Sequence, residues 1–169
     1  MFVPVDESHP PRPVNSYALS KLVGEQTAEY FSRTRGLEVL SFRIMGTRTP
    51  EELPEETAAM GDDPAGAAWL LWTRTDARDV ATACRQALEV DEVKSGVYNI
   101  TGPRVAIGTP TMELIAAHFG DQTEIRHQIG GYDSPLSCEK ARLAFGYKPK
   151  HAWAEGVDTM QVSPATAKL

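Results

Sequence analysis

The clearest periodic pattern in the chain is an apolar stripe at helical spacing between residues 15 and 35. Asn15 suits the N-cap, because its side-chain oxygen can accept a hydrogen bond from the first turn. Gly36 suits the C-terminal stop, and Arg33 and Arg35 suit the last turn, where the helix dipole favours cations. One polar residue, Gln26, interrupts a side otherwise marked by Leu19, Leu22, Val23 and Tyr30. The pattern therefore predicts a helix over residues 15–35.

Two short runs are apolar and β-rich and lack the helical period. Residues 37–44 directly follow the predicted helix, and residues 96–101 read GVYNIT. Continuous apolar runs of this length are typical of buried parallel strands, and a helix followed by such a strand is half of a β–α–β unit. The preceding residues 1–14 are rich in proline and without a period, which predicts an extended loop.

The middle of the chain alternates between loop and helix signals. Residues 46–66 are rich in glycine, proline and acid, which predicts a surface loop or lid with one short helix and solvated carboxylates. Residues 69–72 form a short apolar element. Asp76 can then cap a helix, within which Cys84 is predicted to be a small core residue. The apolar stripe of this helix comprises Val80, Ala83, Cys84, Ala87 and Leu88.

Three further elements are predicted after residue 101. Pro110 fits the first turn of a helix that ends at Gly120. Its predicted inward residues are Met112, Ile115, Ala116 and Phe119. Alternation over residues 124–128 favours a strand, and residues 137–145 favour a short helix closed by Gly146. Residues 163–169 read as a frayed tail.

Composition and charge narrow the function classes. A chain of 169 residues with 41% hydrophobic and 24% charged residues is large enough for one globular domain. A net charge of -6 argues against nucleic acid or an anionic membrane as the main partner. The longest apolar run, residues 67–72, is too short to cross a bilayer. Cys84 and Cys138 lack a metal-ligand spacing. We therefore expect a soluble cytoplasmic protein with reduced thiols and no metal.

Tyr17 and Lys21 are the first candidates for chemistry. Residues four apart lie on the same helix face, one turn from each other. A free phenol is almost entirely protonated at neutral pH, and an ammonium one turn away favours its ionised form. The spacing therefore suits Tyr17 to general acid/base catalysis. The alternative is that the two are solvated neighbours on a helix surface, which is the usual situation for an isolated pair of this kind.

The sequence around this pair resembles that of a known family. Residues 4–21 read PVDESHPPRPVNSYALSK, which closely resembles the active-site stretch of the extended short-chain dehydrogenase/reductase family, the NAD-dependent epimerases and dehydratases. Similar segments follow in the family's order across about 155 residues, and the fixed order makes the resemblance specific. These segments are Phe42-Arg43-Ile44, Asp76-Ala77-Arg78-Asp79-Val80, Gly96-Val97-Tyr98-Asn99-Ile100 and, between residues 137 and 149, Ser137-x-x-Lys140-Ala141 and Phe145-Gly146-Tyr147-x-Pro149.

The resemblance implies roles for particular residues. Tyr17 would exchange a proton with a substrate hydroxyl, while Lys21 would hold the nicotinamide ribose and assist ionisation of the tyrosine. The implied cofactor is NAD or NADP, with Arg43, Met45 and Gly46 as further contacts. The implied substrate is a small molecule such as a nucleotide sugar, with candidate contacts at Thr47, Arg48 and Arg78. For Arg43 an ion pair at a strand end is an equal alternative, and for Arg78 a surface helix charge is the alternative.

The resemblance also implies the architecture. We expect an α/β fold that forms the C-terminal part of a doubly wound, Rossmann-like parallel sheet, plus a small substrate-binding portion. Residues 1–48 would be the remnant of the dinucleotide-binding domain and residues 49–169 mainly the substrate-binding portion, with strand 96–101 returning to the main sheet. The helix over residues 15–35 would form a homodimer interface. Residues 45–50 read MGTRTP, unlike the family signature at this position, and leave the particular sugar open.

One feature of the family does not occur in this sequence. A dinucleotide fold places a glycine-rich turn between its first strand and helix, where backbone amides meet the pyrophosphate. The family places that turn, and several strands, before the tyrosine helix, so the N-terminal glycine-rich half is predicted to be absent here. Three interpretations follow: a truncated enzyme that is inactive alone, a non-catalytic interaction module, or a subunit completed by a separate chain.

The missing neighbours lead to a prediction about stability. Residues 37–44 and 96–101 are too apolar for solvent-facing edges, and the apolar side of the 15–35 helix lacks the sheet it would cover. Whole-domain stability is only about 5–15 kcal/mol, so we expect a marginally stable or self-associating chain. Chemical denaturation with light scattering on the purified chain tests this. A monodisperse monomer with a steep, cooperative transition would contradict it.

Overall fold

The computed structural model of the chain describes residues 1–152 and shows an α/β protein in which every strand pair is parallel. The strands are β1 (Phe2–Val3), β2 (Leu40–Ile44), β3 (Thr47–Arg48), β4 (Thr75–Asp76), β5 (Gly96–Ile100) and β6 (Glu124–Ile125). The helices are α1 (Ser16–Arg35), α2 (Leu53–Asp62), α3 (Pro64–Ala67), α4 (Ala77–Glu89), α5 (Thr111–Phe119) and α6 (Glu139–Phe145). Short 3₁₀ turns cover Ala68–Leu70 and Gly120–Gln122. The strands pair as β1–β6, β2–β5 and β3–β4.

The β2–β5 pair is the longest ladder, and it carries one of two hydrophobic cores. Its register runs from Leu40 opposite Gly96 to Ile44 opposite Ile100. The Phe42 ring stacks on Phe145 with 5.7 Å between centroids, so α6 covers this sheet. The buried members of this core are Ala83, Tyr98, Ile100, Ala141, Phe145 and Tyr147. Helix α4 therefore packs on the same sheet as α6.

The second core lies around Trp72, whose side chain is fully buried and whose indole N–H donates to the Pro64 carbonyl at 2.7 Å. It joins β1 and α2 to α5 and the loop before it. Its buried members are Val3, Met60, Ala67, Leu71, Trp72, Val105, Ala106, Ile107, Leu114, Ile115 and Ile129. Segments of the two cores interleave along the chain, and the division predicted at residue 48 stays a prediction.

Side chains satisfy the outer edge of β5, the edge that faces away from β2. The Asn99 amide donates to a carboxylate oxygen of Glu7 at 2.6 Å, and the Val97 carbonyl accepts from Lys140 at 2.7 Å. Buried backbone groups need such partners, because an unpaired one loses its hydration without compensation. Residues 96–101 were predicted to be too apolar for a solvent-facing edge, and this edge is covered by residues of the N-terminal loop and α6 where a further strand is not present among residues 1–152.

The same edge continues at Thr101, whose backbone groups contact the thiol of Cys138 and the phenol of Tyr147. The Thr101 amide lies 3.3 Å from the Cys138 sulfur, and the Thr101 carbonyl accepts from the Tyr147 hydroxyl at 3.0 Å. Burial raises the pKa of the Cys138 thiol to about 12. Burial likewise raises the pKa of Tyr147. Both groups therefore stay protonated at neutral pH and serve as neutral hydrogen-bonding partners.

Helix α1 has its predicted ends, but of its predicted apolar side only Leu22 faces the sheet. Asn15 accepts from the Ala18 amide at 2.8 Å, and Gly36 ends the helix with φ of 66°. None of its 20 residues is buried. The predicted apolar stripe is half-exposed, with Leu19 at 51% and Tyr30 at 53%. The residues of α1 that are only partly exposed are Ala18, Leu22, Glu25, Ala28 and Ser32, which lie on one face.

An ion pair joins that inner face to β2. The Arg43 guanidinium donates two hydrogen bonds to Glu25, each of 2.7 Å, and the two side chains are 29% and 17% exposed. Bidentate pairs of this kind fix geometry as well as supply energy. The structure shows the ion pair that was one interpretation of Arg43, and the role of Arg43 as a cofactor contact stays a prediction.

The inward faces of α4 and α5 match the predicted ones only in part. On α4, Ala83 is fully buried as predicted, whereas Cys84 is exposed, Leu88 is 88% exposed and the polar Asp79 is 2% exposed. The prediction of Cys84 as a core residue is wrong. A polar side chain occupies the inner face because the Asp79 carboxylate accepts hydrogen bonds from the segment at residues 150 and 151. On α5, Leu114 and Ile115 are buried while Ala116 is exposed.

Several loop and strand predictions need correction. Residues 1–14 contain β1, because Phe2 and Val3 are buried against the second core. Residues 46–66 hold β3, α2 and most of α3, where one short helix was expected. Residues 124–128 form only the two-residue β6, and α6 begins at Glu139. The predicted frayed tail at 163–169 lies outside the described residues.

The two cysteines give a test of the edge chemistry at β5. The thiolate is the reactive form of cysteine, so a buried thiol with a pKa of about 12 resists alkylation. At mildly alkaline pH we expect iodoacetamide to modify Cys84 rapidly and Cys138 only after unfolding, as read by mass spectrometry. A Cys84→Ser variant should have no fast thiol. Rapid modification of Cys138 in the native state would contradict the burial of this edge.

The ion pair between α1 and β2 predicts a measurable coupling. A double-mutant cycle with Arg43→Met and Glu25→Gln should give about 1–2 kcal/mol, because the pair is partly buried and bidentate. The matched control is the Arg85–Glu89 pair, which is 63% and 59% exposed and should couple by less than about 0.5 kcal/mol. Equal coupling in the two cycles, measured by urea denaturation, would mean that Arg43 does not hold α1.

Candidate active site

A cleft of about 700 Å³ lies between the first half of α1 and β2. Tyr17 and Lys21 line it from the helix, and residues 41–44 line it from the strand. A second cleft of about 490 Å³ lies between the later part of α1 and the opposite end of the ladder, at Val39 and Gly96. Helix α1 therefore runs antiparallel to β2, and Tyr17 lies toward the carboxyl end of the strand. Ligands of open parallel α/β sheets bind at this end.

Tyr17 and Lys21 are in contact within this cleft. The Lys21 ammonium lies 5.1 Å from the centroid of the Tyr17 ring. The Tyr17 side chain is 71% exposed, so its hydroxyl is accessible to a ligand. The shared helix face expected from their spacing is thus present in three dimensions, while their catalytic roles stay a prediction.

The cleft is cationic although the protein is acidic. Arg12, Lys21 and Arg43 line it, against a single carboxylate from Glu25. Glu25 pairs with Arg43, and among residues 1–152 neither Arg12 nor Lys21 has an ion-pair partner. Clefts lined by one sign of charge concentrate ligands of the other sign. The electrostatics of this cleft therefore suit an anionic ligand such as a phosphate ester.

An adjoining cleft of about 430 Å³ shares Arg12, Arg43 and Ile44 with the first and continues past Met45. The Met45 amide donates to the Ile100 carbonyl at 3.0 Å, which fixes the strand end. His9 lines the far side of this cleft, and partial burial and the nearby amino terminus lower its pKa. Gly46 has φ of 30°, and a Cβ there would lie 3.0 Å from the Arg74 side chain. Its positive φ and its close contact with Arg74 explain why a glycine occupies position 46.

Two of the predicted substrate contacts lie away from Tyr17. Thr47 and Arg48 form β3, and Arg48 lines a separate cleft of about 470 Å³ beside α2. There Glu56 bridges Arg48 at 2.8 Å and Arg74 at 2.7 Å, and the hydrogen bond from Arg74 lowers the pKa of Glu56. Acidic side chains outnumber the two arginines around this cleft: Glu52, Glu55, Glu56 and Asp63. Its charge disfavours a phosphate.

Arg78 lines none of the four clefts described. Its guanidinium forms a bidentate pair with the buried Asp76, at 2.9 and 2.7 Å, and its side chain is 51% exposed. Asp76 also accepts from the Arg78 amide at 2.8 Å, as the N-cap of α4. This geometry is that of a charge on the helix surface, which was the alternative interpretation of Arg78.

Asp79 has a larger role than a helix-start residue. Its carboxylate accepts the backbone amides of Lys150 and His151 at 3.0–3.1 Å and lies 2.8 Å from the His151 ring nitrogen. This cluster anchors the last described segment on α4 and is far in sequence from the Tyr17 helix. Its role is structural.

Three observations concern what is absent from the described part of the chain. Within residues 1–152, no group of three or more His, Cys, Asp or Glu side chains is arranged to hold a metal ion. In the same residues, no helix is long and apolar enough to cross a membrane. The loop after β5 is not a phosphate cradle, because a Cβ on Gly102 would lie 2.3 Å from the Arg74 carbonyl. Close packing of backbone explains that glycine.

Sequence reasoning missed Arg12, Glu25 and Glu7 as residues that shape this region. Arg12 stands between two prolines in a loop without a period, so no local signal marked it. Glu25 follows Lys21 by four residues and continues the helix face of Tyr17 and Lys21, which was a usable signal. Glu7 bonds to β5 over a separation of 92 residues, which no sequence pattern reveals.

Comparison with known proteins first gives short stretches of similar sequence. No protein-family model matches the chain. The chain is 42% identical over 52 residues to L-arabinose 1-dehydrogenase (NAD(P)(+)) of Haloferax volcanii. This stretch is 31% of this chain and 20% of that protein. The chain is 34% identical over 59 residues to a protein described as a putative UDP-glucose 4-epimerase of Methanocaldococcus jannaschii. That stretch is 35% of this chain and 19% of the relative. The matched stretches are about a fifth of each relative.

Solved structures match over most of the chain. UDP-glucose 4-epimerase from Thermotoga maritima, with UDP-glucose, gives a TM-score of 0.58 at 20% identity, covering 89% of this chain and 53% of that one. UDP-glucuronic acid 4-epimerase from Bacillus cereus, in complex with NAD, gives a TM-score of 0.57 at 17% identity. This match covers 88% of this chain and 51% of that one. A short-chain dehydrogenase/reductase superfamily protein from Agrobacterium tumefaciens, with bound NAD, gives a TM-score of 0.54 at 22% identity. This match covers 86% of this chain and 56% of that one.

The chain spans about half the length of these structures and shares their fold over that half. The parallel ladders and flanking helices thus confirm the predicted class. The chain has the Rossmann-like α/β fold of the extended short-chain dehydrogenase/reductase structures.

Proposed function

We propose that this chain carries the tyrosine helix and the substrate-facing part of an NAD(P)-dependent epimerase, dehydratase or nucleotide-sugar reductase. The observation that carries the proposal is the contact of Tyr17 and Lys21 in a cationic cleft at the carboxyl end of β2. Solved structures of the same fold were obtained with NAD and with UDP-glucose. The chemistry proposed is hydride transfer to or from a substrate carbon that bears a hydroxyl.

In this proposal Tyr17 is the general acid/base. Its ionised phenolate oxygen would take the proton of the substrate hydroxyl as the carbon that bears this hydroxyl gives a hydride to the cofactor, and the phenol would return the proton in the reverse direction. The exposed position at the mouth of the cleft gives a substrate direct access. Lys21 favours the ionised phenol through its charge, and its ammonium can donate hydrogen bonds to ribose hydroxyls.

The cleft fits the nicotinamide ribose end of NAD(P). Its apolar wall comes from Leu22 and Phe42, and Arg12 and Lys21 supply charge for a phosphate. When the cofactor is bound, the nicotinamide ring supplies the hydride acceptor or donor. Met45 and Gly46 would border the cofactor from the strand end, and Arg43 would act by holding α1 through Glu25. Residues 1–152 contain no glycine-rich turn of the kind that binds a pyrophosphate, so the fit concerns one end of the cofactor.

The substrate assignments extend the proposal to a second region. Thr47, Arg48 and Arg78 remain proposed substrate contacts, although all three lie outside the Tyr17 cleft and both arginines already pair with carboxylates. A nucleotide sugar is the proposed substrate class, because proteins of this fold were crystallised with UDP-glucose. A ligand long enough to reach from Tyr17 to β3 would explain both regions.

The outer face of α1 supports a proposed homodimer. Leu19, Val23, Gln26 and Tyr30 are spaced by four, three and four residues, which is the spacing of a helix-pairing seam. Leu19, Val23 and Tyr30 are each about half-exposed. Two copies of α1 packed through this seam would cover the stripe. A cytoplasmic setting is part of the proposal, in keeping with the small-molecule chemistry.

Substitutions at Tyr17 and Lys21 test the proposed function. For the chain alone we expect weak binding of NADH and NADPH, with Kd above about 0.1 mM, because contacts to the pyrophosphate are few. Lys21→Met should abolish this binding, and the exposed control Lys94→Met should not, as measured by calorimetry. In an enzyme completed by a glycine-rich half, Tyr17→Phe should lower turnover about 10²–10⁴-fold with cofactor affinity within a few-fold.

The matched control for Tyr17→Phe is Tyr30→Phe, on the same helix and 53% exposed. Equal rates for the two variants would contradict the acid/base role. Low-micromolar affinity of the chain alone would show that a phosphate-binding loop exists in it. No turnover in any completed form would favour the non-catalytic alternative.

A further inference from the structure

A tryptophan side chain is exposed at the cleft of about 470 Å³ beside α2. Trp69 is 77% exposed, the largest exposed fraction of any aromatic side chain among residues 1–152. Tryptophan is enriched among the residues that carry most of the binding energy at protein interfaces. We call this cleft the Trp69 groove. Its apolar lining consists of Ala59, Met60, Ala67, Trp69 and Leu70.

The backbone after Trp69 fixes the outward position of its side chain. Leu71 and Trp72 have positive φ of 50° and 53°, in the left-handed region that bulky side chains rarely adopt. Both side chains are buried in the second core, and the indole N–H of Trp72 donates to the Pro64 carbonyl at 2.7 Å. The core therefore holds this sharp turn in place. A partner meets an aromatic side chain whose backbone is already ordered, which lowers the entropic cost of binding.

The polar residues around the groove are mainly acidic. Residues 51–73 carry six carboxylates and no lysine, arginine or histidine. One carboxylate, that of Glu56, pairs with both Arg48 and Arg74, so these two cations are already neutralised. The other five are exposed, and none of them forms an ion pair with a lysine or arginine of residues 1–152: Glu51, Glu52, Glu55, Asp62 and Asp63. Their charge favours a cationic ligand.

The length of this acidic surface indicates the kind of ligand. Helix α2 has 10 residues and is therefore about 15 Å long. Glu51 and Glu52 precede its first turn, while Asp62 and Asp63 lie at its end. A span of this length is too great for one small cation, and it suits several residues of an extended polypeptide at about 3.3 Å each. Nucleic acids and anionic membranes carry the same sign of charge as this surface and are disfavoured.

We propose that the Trp69 groove docks a basic segment of a partner protein, with a cationic side chain on the Trp69 ring facing Glu55 and Asp63. A guanidinium or ammonium over a tryptophan ring is attracted by the ring quadrupole, and the aliphatic stem of the side chain suits the apolar lining. A second copy of this chain is a poorer occupant, because copies with net charge -6 repel each other. The Trp69 groove and the Tyr17 cleft have no lining residue in common, so the proposal is independent of the proposed function.

The first test measures the binding of peptides to the full chain by fluorescence anisotropy. The probe is a labelled peptide that alternates arginine and leucine. One control peptide replaces arginine with glutamate, and the other replaces leucine with serine. We expect saturable binding of the arginine–leucine peptide that weakens at least about threefold at high salt, because salt screens exposed charges. The glutamate peptide should not bind, and the serine peptide should bind more weakly than the probe.

Variants of the chain show whether the peptide occupies the Trp69 groove. Trp69→Ala should weaken binding about tenfold or more, because it removes the aromatic contact. The matched control Leu88→Ala shortens an apolar side chain that is 88% exposed on α4, and it should leave binding unchanged. Glu55→Gln should weaken binding about two- to fivefold, whereas Glu92→Gln, at an exposed carboxylate outside the groove, should not. Equal denaturation midpoints of the purified variants verify that the fold is kept.

The second test identifies the source of the basic segment in the cell. The photo-crosslinker benzoylphenylalanine replaces Ala65, which is exposed on α3 next to the groove residues Gly66 and Ala67, in the full chain expressed in its native host. The control carries the same group at Leu88. We expect a cross-link from position 65 alone, and we expect Trp69→Ala to abolish it. Mass spectrometry should place it on a segment of another protein in which arginine and lysine outnumber acidic residues.

Each other outcome overturns the proposal. Equal peptide affinities of the Trp69→Ala and Leu88→Ala variants would mean that the groove is not the binding site. Binding of the glutamate peptide as tight as that of the arginine peptide would exclude a role for the carboxylates. A cross-link to a second copy of this chain or to an acidic segment would replace the proposed partner, and the absence of a cross-link would leave the groove without one. Neither test requires turnover or a bound cofactor.

Discussion

The strand β5 constrains most of this structure, because its backbone groups are buried and each needs a partner. One side is satisfied by the ladder with β2. The other side is satisfied by Glu7 from the N-terminal loop, Lys140 from α6 and Tyr147 just beyond it. Segments separated by as many as 92 residues thus meet on one strand. Removal of the Tyr147 hydroxyl would leave the buried Thr101 carbonyl without this partner, which costs about 1–3 kcal/mol.

The attachment of α1 to this sheet decides where the chemistry can occur. The helix is held by a charged pair, Arg43 with Glu25, and by small or partly exposed residues, so a cleft remains between helix and strand. A tightly packed apolar face would have closed that space. Because α1 runs antiparallel to β2, its first turns bring Tyr17 and Lys21 to the carboxyl end of the strand. The loose packing and the candidate site are two aspects of one arrangement.

Charge distinguishes the Tyr17 cleft from the cleft beside α2. Three cations and one carboxylate line the Tyr17 cleft, whereas two arginines and four carboxylates line the cleft beside α2. In a chain with net charge -6, a cationic cleft focuses the field on anionic ligands. Glu56 neutralises the two arginines beside α2, and Asp76 neutralises Arg78. Binding of a phosphate group is therefore favoured near Tyr17.

Local signals in the sequence determined the ends of α1 at Asn15 and Gly36, the parallel strands near residues 40–44 and 96–100, and the shared face of Tyr17 and Lys21. Each depends on residues within a turn or a few positions of one another, so propensity and spacing were sufficient. Only the tertiary structure decided that Arg43 pairs with Glu25, that Cys84 faces solvent and that side chains close the edge of β5. Those outcomes depend on partners far apart in sequence, and on which helix face meets the sheet. A stripe of apolar residues indicates that a face will be covered, but packing chooses the partner, and here the stripe of α1, apart from Leu22, lies away from β2.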